Sequence, residues 1–432
     1  MHAKDVVTGS LPDRNINESY GRKGVFPQMM RVKTCLGQCA FVLVALAVVS
    51  ALMMATGLAV AETSGLVSIE TEYTITKIRT ARRPGGTYIV ASSYEGTVLG
   101  IGYDGSVVWK NALSGFVNHD LWCDDITGDG SDEVLAANAD GTVYCLDSRG
   151  RLQWQFKAND APMNAVCVTR RDETPYIVCG GYDKSIYYLT SAGRLEKEIP
   201  SSTYSMNKPW GRNKNPKPIP PDNLHIANFL RPVPRPDGPD ILAVHGAHHS
   251  MATPGTLYLF EPLENKPFKT VELEKSKPLG DMRVVDVGGR KELLFGTSTH
   301  INRAMMTRVR LNEDVRQTQF PVTRDLISKG GRLHYGVVQP EIISDGQRDT
   351  FFMKFGPRIV QVPLSMDPGK AEILACKYSF NDMCKDAENN RIILASSQSG
   401  GSCVHVLNPA NPNWKRAYSS LMPPGKIRTI LK

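Results

Sequence analysis

The chain lacks the signatures of most common enzyme chemistries. It has no Gly-rich phosphate loop, no HExxH and no GxSxG, which removes the usual NTPase, zinc-protease and serine-hydrolase sites. No CxxC is present and no two cysteines are adjacent, so neither a cysteine-based metal site nor a thiol nucleophile is indicated. Amphipathic helical periodicity is essentially missing between residues 65 and 420. No Lys/Arg stripe runs along the chain, which argues against a nucleic-acid partner.

What is there begins with an export signal. Arg31 and Lys33 precede the apolar run CAFVLVALAVVSALMMATGLAVA, which ends in the small-x-small pattern Ala59-Val60-Ala61. That order describes a secretory signal peptide, with retention as a membrane anchor the alternative. Residues 1–61 are therefore leader and signal, residues 62–420 the folded domain, and residues 421–432 a tail that could open a helix. A secreted or periplasmic location is expected, or an extracytoplasmic domain if the segment stays in the membrane. Cleavage after Ala61 takes the Lys+Arg count from 51 to 45 and the Asp+Glu count from 43 to 40, a net charge near +5. Seven of the nine cysteines remain, an odd number set mostly in apolar runs, and buried free thiols are expected.

The domain repeats. Residues 117–156 hold four short runs, LWCDDI, EVLAA, TVYCLD and LQWQF, divided by the turn signals GDGSD, ADG and SRG. Alternation, Val/Tyr/Trp content and Gly-bearing turns predict four strands joined by hairpins. The same grammar recurs at 87–112 and 163–199, and then with longer connections in four further units. The last of these reads NDMCKD, RIILASS, SCVHVLN and WKRAYSS. Seven units of four strands predict an all-β, seven-bladed β-propeller of antiparallel blades, with eight blades the main alternative.

Two repeat families share these motifs. DITGDGSDEVLAA resembles the FG-GAP/VCBS loop, and GTVYCLDSRGRLQWQF and GTVLGIGYDGSVVWK resemble the outer half of the PQQ-type (quinoprotein-like) repeat. The first resemblance implies structural Ca²⁺ on Asp125, Thr127, Asp129 and Glu133, hard oxygen ligands around Gly130. A hydrogen-bonded Asx turn without metal is the competing expectation. The degenerate copy EIISDGQRD (341–349) puts Ile343 at a ligand position. The second resemblance implies architecture only, because the adjacent cysteine pair of quinoprotein dehydrogenases is absent. No quinone, nucleotide or haem is expected.

In a propeller, strand A of each blade lines the central channel and strands B to D follow outward. A–B and C–D turns then share one face, and B–C loops and D–A connections the other. The long insertions 201–223, 245–255, 297–305 and 323–333 all fall on the second face, where the A strands also begin. The expected ligand-binding set is Asn164, Trp210, Arg212, His245, His248, His249, Arg303, Arg332 and His334. Asn381 begins an A strand at the same rim. The trio His245, His248 and His249 is more consistent with ligand contact than with a metal, because its i, i+3, i+4 spacing converges only on a helix.

Arginines and an exposed tryptophan suit a polar, anionic glycan. The leading expectation is an exported binding module or scaffold for such a polysaccharide or for a protein partner. The alternative rests on a fold-level resemblance to propeller polysaccharide lyases and glycosidases acting on uronate-containing glycans. That resemblance implies His119, His225 or Tyr335 as acid/base, with Arg303 or Arg332 on the carboxylate.

Overall fold

Each strand quartet forms its own antiparallel sheet. The computed structural model describes residues 64–205, 224–247, 255–273, 279–297, 305–311, 315–321, 337–396 and 402–422. Within them stand seven four-stranded sheets, the seven-bladed propeller expected. Blades 1 to 6 span residues 75–111, 118–157, 163–200, 226–272, 279–321 and 338–375. Blade 7 takes its three inner strands from residues 380–407.

The fourth strand of blade 7 corrects the sequence reading. WKRAYSS is not a strand but a helix, α1 (Trp414–Ser419). The outer strand is Leu66–Glu70, paired from Leu66↔Leu407 to Glu70↔Cys403. Trp414 and Tyr418, four residues apart, share one helical face and are buried against Phe352, Phe380 and Leu66. An N-terminal strand that completes the last blade closes the ring by pairing the outer edge of Cys403–Leu407.

Burial explains why the strands were legible. In blade 2, strands B (Glu133–Asn138) and C (Thr142–Leu146) are buried throughout, whereas strand D (Leu152–Lys157) is largely exposed. Blades then pack face to face. Leu135, Val143 and Cys145 of blade 2, for example, meet Val166, Val168 and Ile177 of blade 3. The seven cysteines among the described residues are all free, and five are buried, as expected.

The two repeat motifs act as inter-blade fasteners. Trp154 of blade 2 stacks on the C–D turn of blade 3, its Nε1 donating to Ser191 O at 2.9 Å. Gly193 in that turn has φ +74°, and a Cβ there would stand 2.5 Å from the Trp154 ring. Trp109 of blade 1 sits the same way on Gly150 of blade 2. In the Asp-rich loop, Asp132 accepts from Arg82 N at 2.8 Å and its own N–H donates to Arg82 O, tying blade 2 to blade 1. Asp240 holds Arg170 in the same two-bond fashion between blades 4 and 3. Gly193→Ala is expected to cost about 2 kcal/mol through backbone strain plus overpacking. Gly128→Ala, at φ +78° with nothing within 4 Å, is expected to cost about 1 kcal/mol from strain alone. Urea midpoints of the two variants check the difference.

Candidate functional site

The A strands carry the functional side chains because most of them bulge. Strands Ile75–Arg83, Asn118–Asp124, Met163–Arg171, Ile226–Val233, Leu279–Val287 and Phe380–Asp386 each shift register by one residue near their start. The bulged residues are Thr76, His119, Asn164, Asn228, Gly280 and Asn381. A regular strand turns alternate side chains away, whereas a bulge turns two successive ones the same way. Thr76 with Lys77, His119 with Asp120, and Asn228 with Phe229 accordingly line one cavity of ≈ 230 Å³ at the start of the A strands. Strand A of blade 6, Val338–Ser344, keeps its register and sends only Gln339 into that cavity.

Bulge side chains also staple neighbouring blades. His119 Nδ1 lies 2.8 Å from Met163 O, Asn164 Nδ2 donates to Asn228 O at 2.9 Å, and Asn381 Nδ2 donates to Ile75 O at 2.8 Å. A carbonyl only accepts, so the His119 contact requires a proton on Nδ1 and leaves Nε2 as an acceptor in the neutral ring. Burial lowers the His119 pKa and favours that neutral form.

Beneath the bulges lies a layer of ion pairs. Arg79 Nη2 binds Asp120 at 2.7 Å, Arg79 Nη1 binds Asp382 at 3.2 Å, and Arg231 Nη1 binds Asp120 at 2.9 Å. Arg283 binds Asp281 at 2.8 Å and Gln339 Nε2 donates to Asp382 at 2.6 Å. Burial opposes charge on Asp120 and Asp382, but the arginines and Lys77 outweigh it and hold both carboxyls below the ordinary range. Arg231 also lies over the Trp122 ring, 5.6 Å from its centroid. A second cavity of ≈ 200 Å³ lies beyond, sharing Arg79 and Arg231 and lined by Trp122, Cys123 and Glu341. Burial raises the Glu341 pKa above its ordinary value. Lys354 is buried under the blade 7 bulge, donating to Phe380 O at 2.9 Å, and burial lowers its pKa to about 8.

The residues expected from sequence are distributed as follows. His119 and Asn164 line the mouth cavity. His225 lies at the start of blade 4 with Nδ1 2.9 Å from the Tyr258 hydroxyl. His245 is 1% exposed, stacked on Phe229, and its Nδ1 holds Asn228 Nδ2 at 3.1 Å. Trp210, Arg212, His248, His249, Arg303, Arg332, His334 and Tyr335 lie outside the described residues. Sequence reasoning missed Lys77, Arg79, Asn228, Arg231, Asp281 and Asp382; a charged or amide residue recurring within strand A of successive units was the signal available.

The Asp-rich loop is bonded to itself. Asp125 accepts from Gly128 N at 2.6 Å and from Gly130 N at 2.9 Å. Glu133 accepts from Ile126 N at 3.1 Å, with Thr127 Oγ1 3.4 Å away, and Asp129 accepts from Ser131 N at 2.8 Å. Among the described residues, no three His, Cys, Asp or Glu side chains stand together as metal ligands.

Three comparisons bear on this site. Residues 88–407 match the family model of the lambda-carrageenase β-propeller domain. A protein named lambda-carrageenase from Pseudoalteromonas carrageenovora is 42% identical over 372 residues, covering 86% of this chain. A second lambda-carrageenase, from Pseudoalteromonas sp, matches to the same extent. The chain spans 39% of the length of each. In fold alone, the chain is similar to the WD40 domain of Neurospora crassa Pan2, with TM-score 0.53 and 10% identity over 77% of this chain and 88% of that one.

Proposed function

The chain belongs to the lambda-carrageenase β-propeller domain family, and from that premise we propose that it is the propeller of an exported enzyme hydrolysing a sulfated galactan of the lambda-carrageenan type. One observation carries this: 42% identity over 86% of the chain to proteins named for that activity. The expectation of a binding module or scaffold is corrected by the same identity. The polymer class changes too. A sulfated galactan has no uronate carboxyl, so there is no acidified α-proton for a lyase base to remove. Cleavage is then hydrolysis, which needs a carboxylic acid and a carboxylate on either side of the glycosidic bond.

That chemistry bears on the channel. Asp120, Asp281 and Asp382 each answer an arginine, which suits them to hold the blades rather than to exchange protons. Acid–base work falls to other groups, and the described mouth serves substrate recognition within the enzyme. The polar mouth, with Lys77 and His119 above a neutralised floor, is consistent with an anionic polysaccharide. An export signal places such an enzyme where the polymer is. Incubating the chain with lambda-carrageenan is expected to release reducing ends and lower viscosity, without the absorbance of an unsaturated product. Absence of new reducing ends, whether or not the protein is retained on a carrageenan gel, would overturn the proposal.

A further inference from the structure

We propose that the channel mouth is a subsite for one sulfate ester of the polysaccharide, with Lys77 as its cationic anchor and His119 as acceptor for a neighbouring sugar hydroxyl. The proposal rests on the reading above, and it assigns to particular residues the recognition of charge that such a substrate demands.

Arg79, Arg231 and Arg283 are tied to Asp120, Asp281 and Asp382. Their charges are matched three against three, and each gives donors to those carboxylates and to backbone carbonyls such as Ile78 O, Met282 O and Met383 O. Lys354 is buried and turned to the carbonyls of Phe380 and Asn381. Lys77 differs from all four. It lines the mouth cavity, is half-buried rather than enclosed, and forms no ion pair within 4.0 Å with a carboxylate among the described residues. Its charge nevertheless reaches the site, since it depresses the pKa values of Asp382, Asp120 and His119.

Its placement follows from the backbone. Ile75 pairs with Ser93 and Lys77 with Ser92, so Thr76 is the extra residue. Thr76 is anchored through Oγ1 to Ser92 O at 3.1 Å. The bulge lets Lys77 share the cavity with Thr76 and with Arg79 two positions on. The anionic carboxylates below are neutralised, so an incoming anion meets the unmatched ammonium first. A sulfate ester stays ionised throughout the working pH range and accepts hydrogen bonds only, which matches an ammonium donor. It does not match His119, whose Nδ1 is spent on Met163 O and whose Nε2 presents a lone pair. That lone pair suits a hydroxyl donor beside the sulfate. Gly280, the one bulge residue without a side chain, lines the mouth on its blade 5 side.

The test uses the whole chain and two galactan oligosaccharides, one sulfated and one chemically desulfated. Calorimetry is expected to show Lys77→Met binding the sulfated oligosaccharide about tenfold more weakly, the order of a lost charge-assisted contact. Binding of the desulfated one should be unchanged, and Lys77→Arg should restore most of the loss. The thermal midpoint of Lys77→Met should fall only slightly, since the arginines still hold the Asp120 and Asp382 charges that Lys77 supports. Unchanged affinity for the sulfated ligand, or equal losses for both ligands, would overturn the subsite. The two proposals fail separately. Hydrolysis of lambda-carrageenan with KM unmoved by Lys77→Met removes the subsite alone, whereas Lys77-dependent binding without hydrolysis removes the enzyme alone.

Discussion

Asp382→Ala is expected to destabilise the propeller by about 3–5 kcal/mol, the range for removing one partner from a buried ion pair. Oδ2 of this residue accepts from Ile78 N at 2.9 Å and Arg79 Nη1 at 3.2 Å. Oδ1 accepts from Gln339 Nε2 at 2.6 Å and lies 3.7 Å from Arg283 Nη2. One carboxylate thus joins blade 7 to blades 1, 5 and 6. Its side chain is 2% exposed, and those of Arg79 and Arg283 are 12% and 11% exposed, so water cannot readily take its place. Truncation leaves Arg79 with Asp120 and Arg283 with Asp281, but the layer one negative charge short in a region with little solvent. Asp382→Asn keeps the volume and one acceptor and should lose about half as much. Arg79→Met combined with Asp382→Ala should cost less than the sum of the two single changes, by about 1 kcal/mol or more, because each single change orphans a charge that the pair removes together. Urea midpoints at unchanged m-value test this. A loss below about 1 kcal/mol for Asp382→Ala would mean that water enters the channel and screens the layer.

The blades were legible in the sequence because the signal is local. Strands B and C are buried on both faces and read as unbroken apolar runs, and Gly turns with positive φ, such as Gly150 and Gly193, mark the hairpins. Ring closure was not legible. Leu66–Glu70 and Cys403–Leu407 pair across almost the whole domain, and nothing local distinguishes WKRAYSS as a helix except the spacing of Trp414 and Tyr418. The channel was legible only in part, for a related reason. His119 and Asn164 stood out as polar residues at strand starts. Asn228 and Lys77 did not, because a bulge changes which side chains face the channel without changing composition. The ion-pair layer was hidden by distance, since Arg231 and Asp120 are 111 residues apart. His245 illustrates the converse: conspicuous in sequence, it lies buried behind Phe229 and Asn228, where it holds another residue at the mouth.

The closing strand should make the fold sensitive to acid. His405 sits in strand C of blade 7, 1% exposed, with Nδ1 and the Ser68 hydroxyl of the closing strand sharing a hydrogen bond of 2.8 Å. Tyr378 and Phe380 enclose the ring, at 5.0 and 5.7 Å between centroids. Its Nε2 has no hydrogen-bond partner among the described residues. Burial lowers its pKa from 6.5 to about 4. The sign follows from proton counts. Between these two values the unfolded chain binds a proton at His405 and the folded chain does not, so stability is lost as pH falls from about 6.5 to about 4. The full loss is roughly 3 kcal/mol, from 1.36 kcal/mol per pH unit over that interval. Glu133 acts in the opposite direction. Burial, with Asp129 and Asp125 adding to it, raises its pKa to about 7, so the folded state takes up its proton first and gains stability as pH falls through 7. A wild-type pH curve alone therefore mixes the two. The difference between wild type and His405→Gln removes the Glu133 contribution, because both proteins carry it. His405→Gln is expected to be less stable at pH 7 through lost packing, yet to lose roughly 3 kcal/mol less than the wild type between pH 6.5 and pH 4. Parallel curves over that range would show that His405 is protonated in place, with the closing strand giving way around it. The channel aspartates lose their contribution as the unfolded carboxyls begin to take protons from about pH 5 downward, which overlaps the acid end of this window, but wild type and His405→Gln share that slope and the difference cancels it.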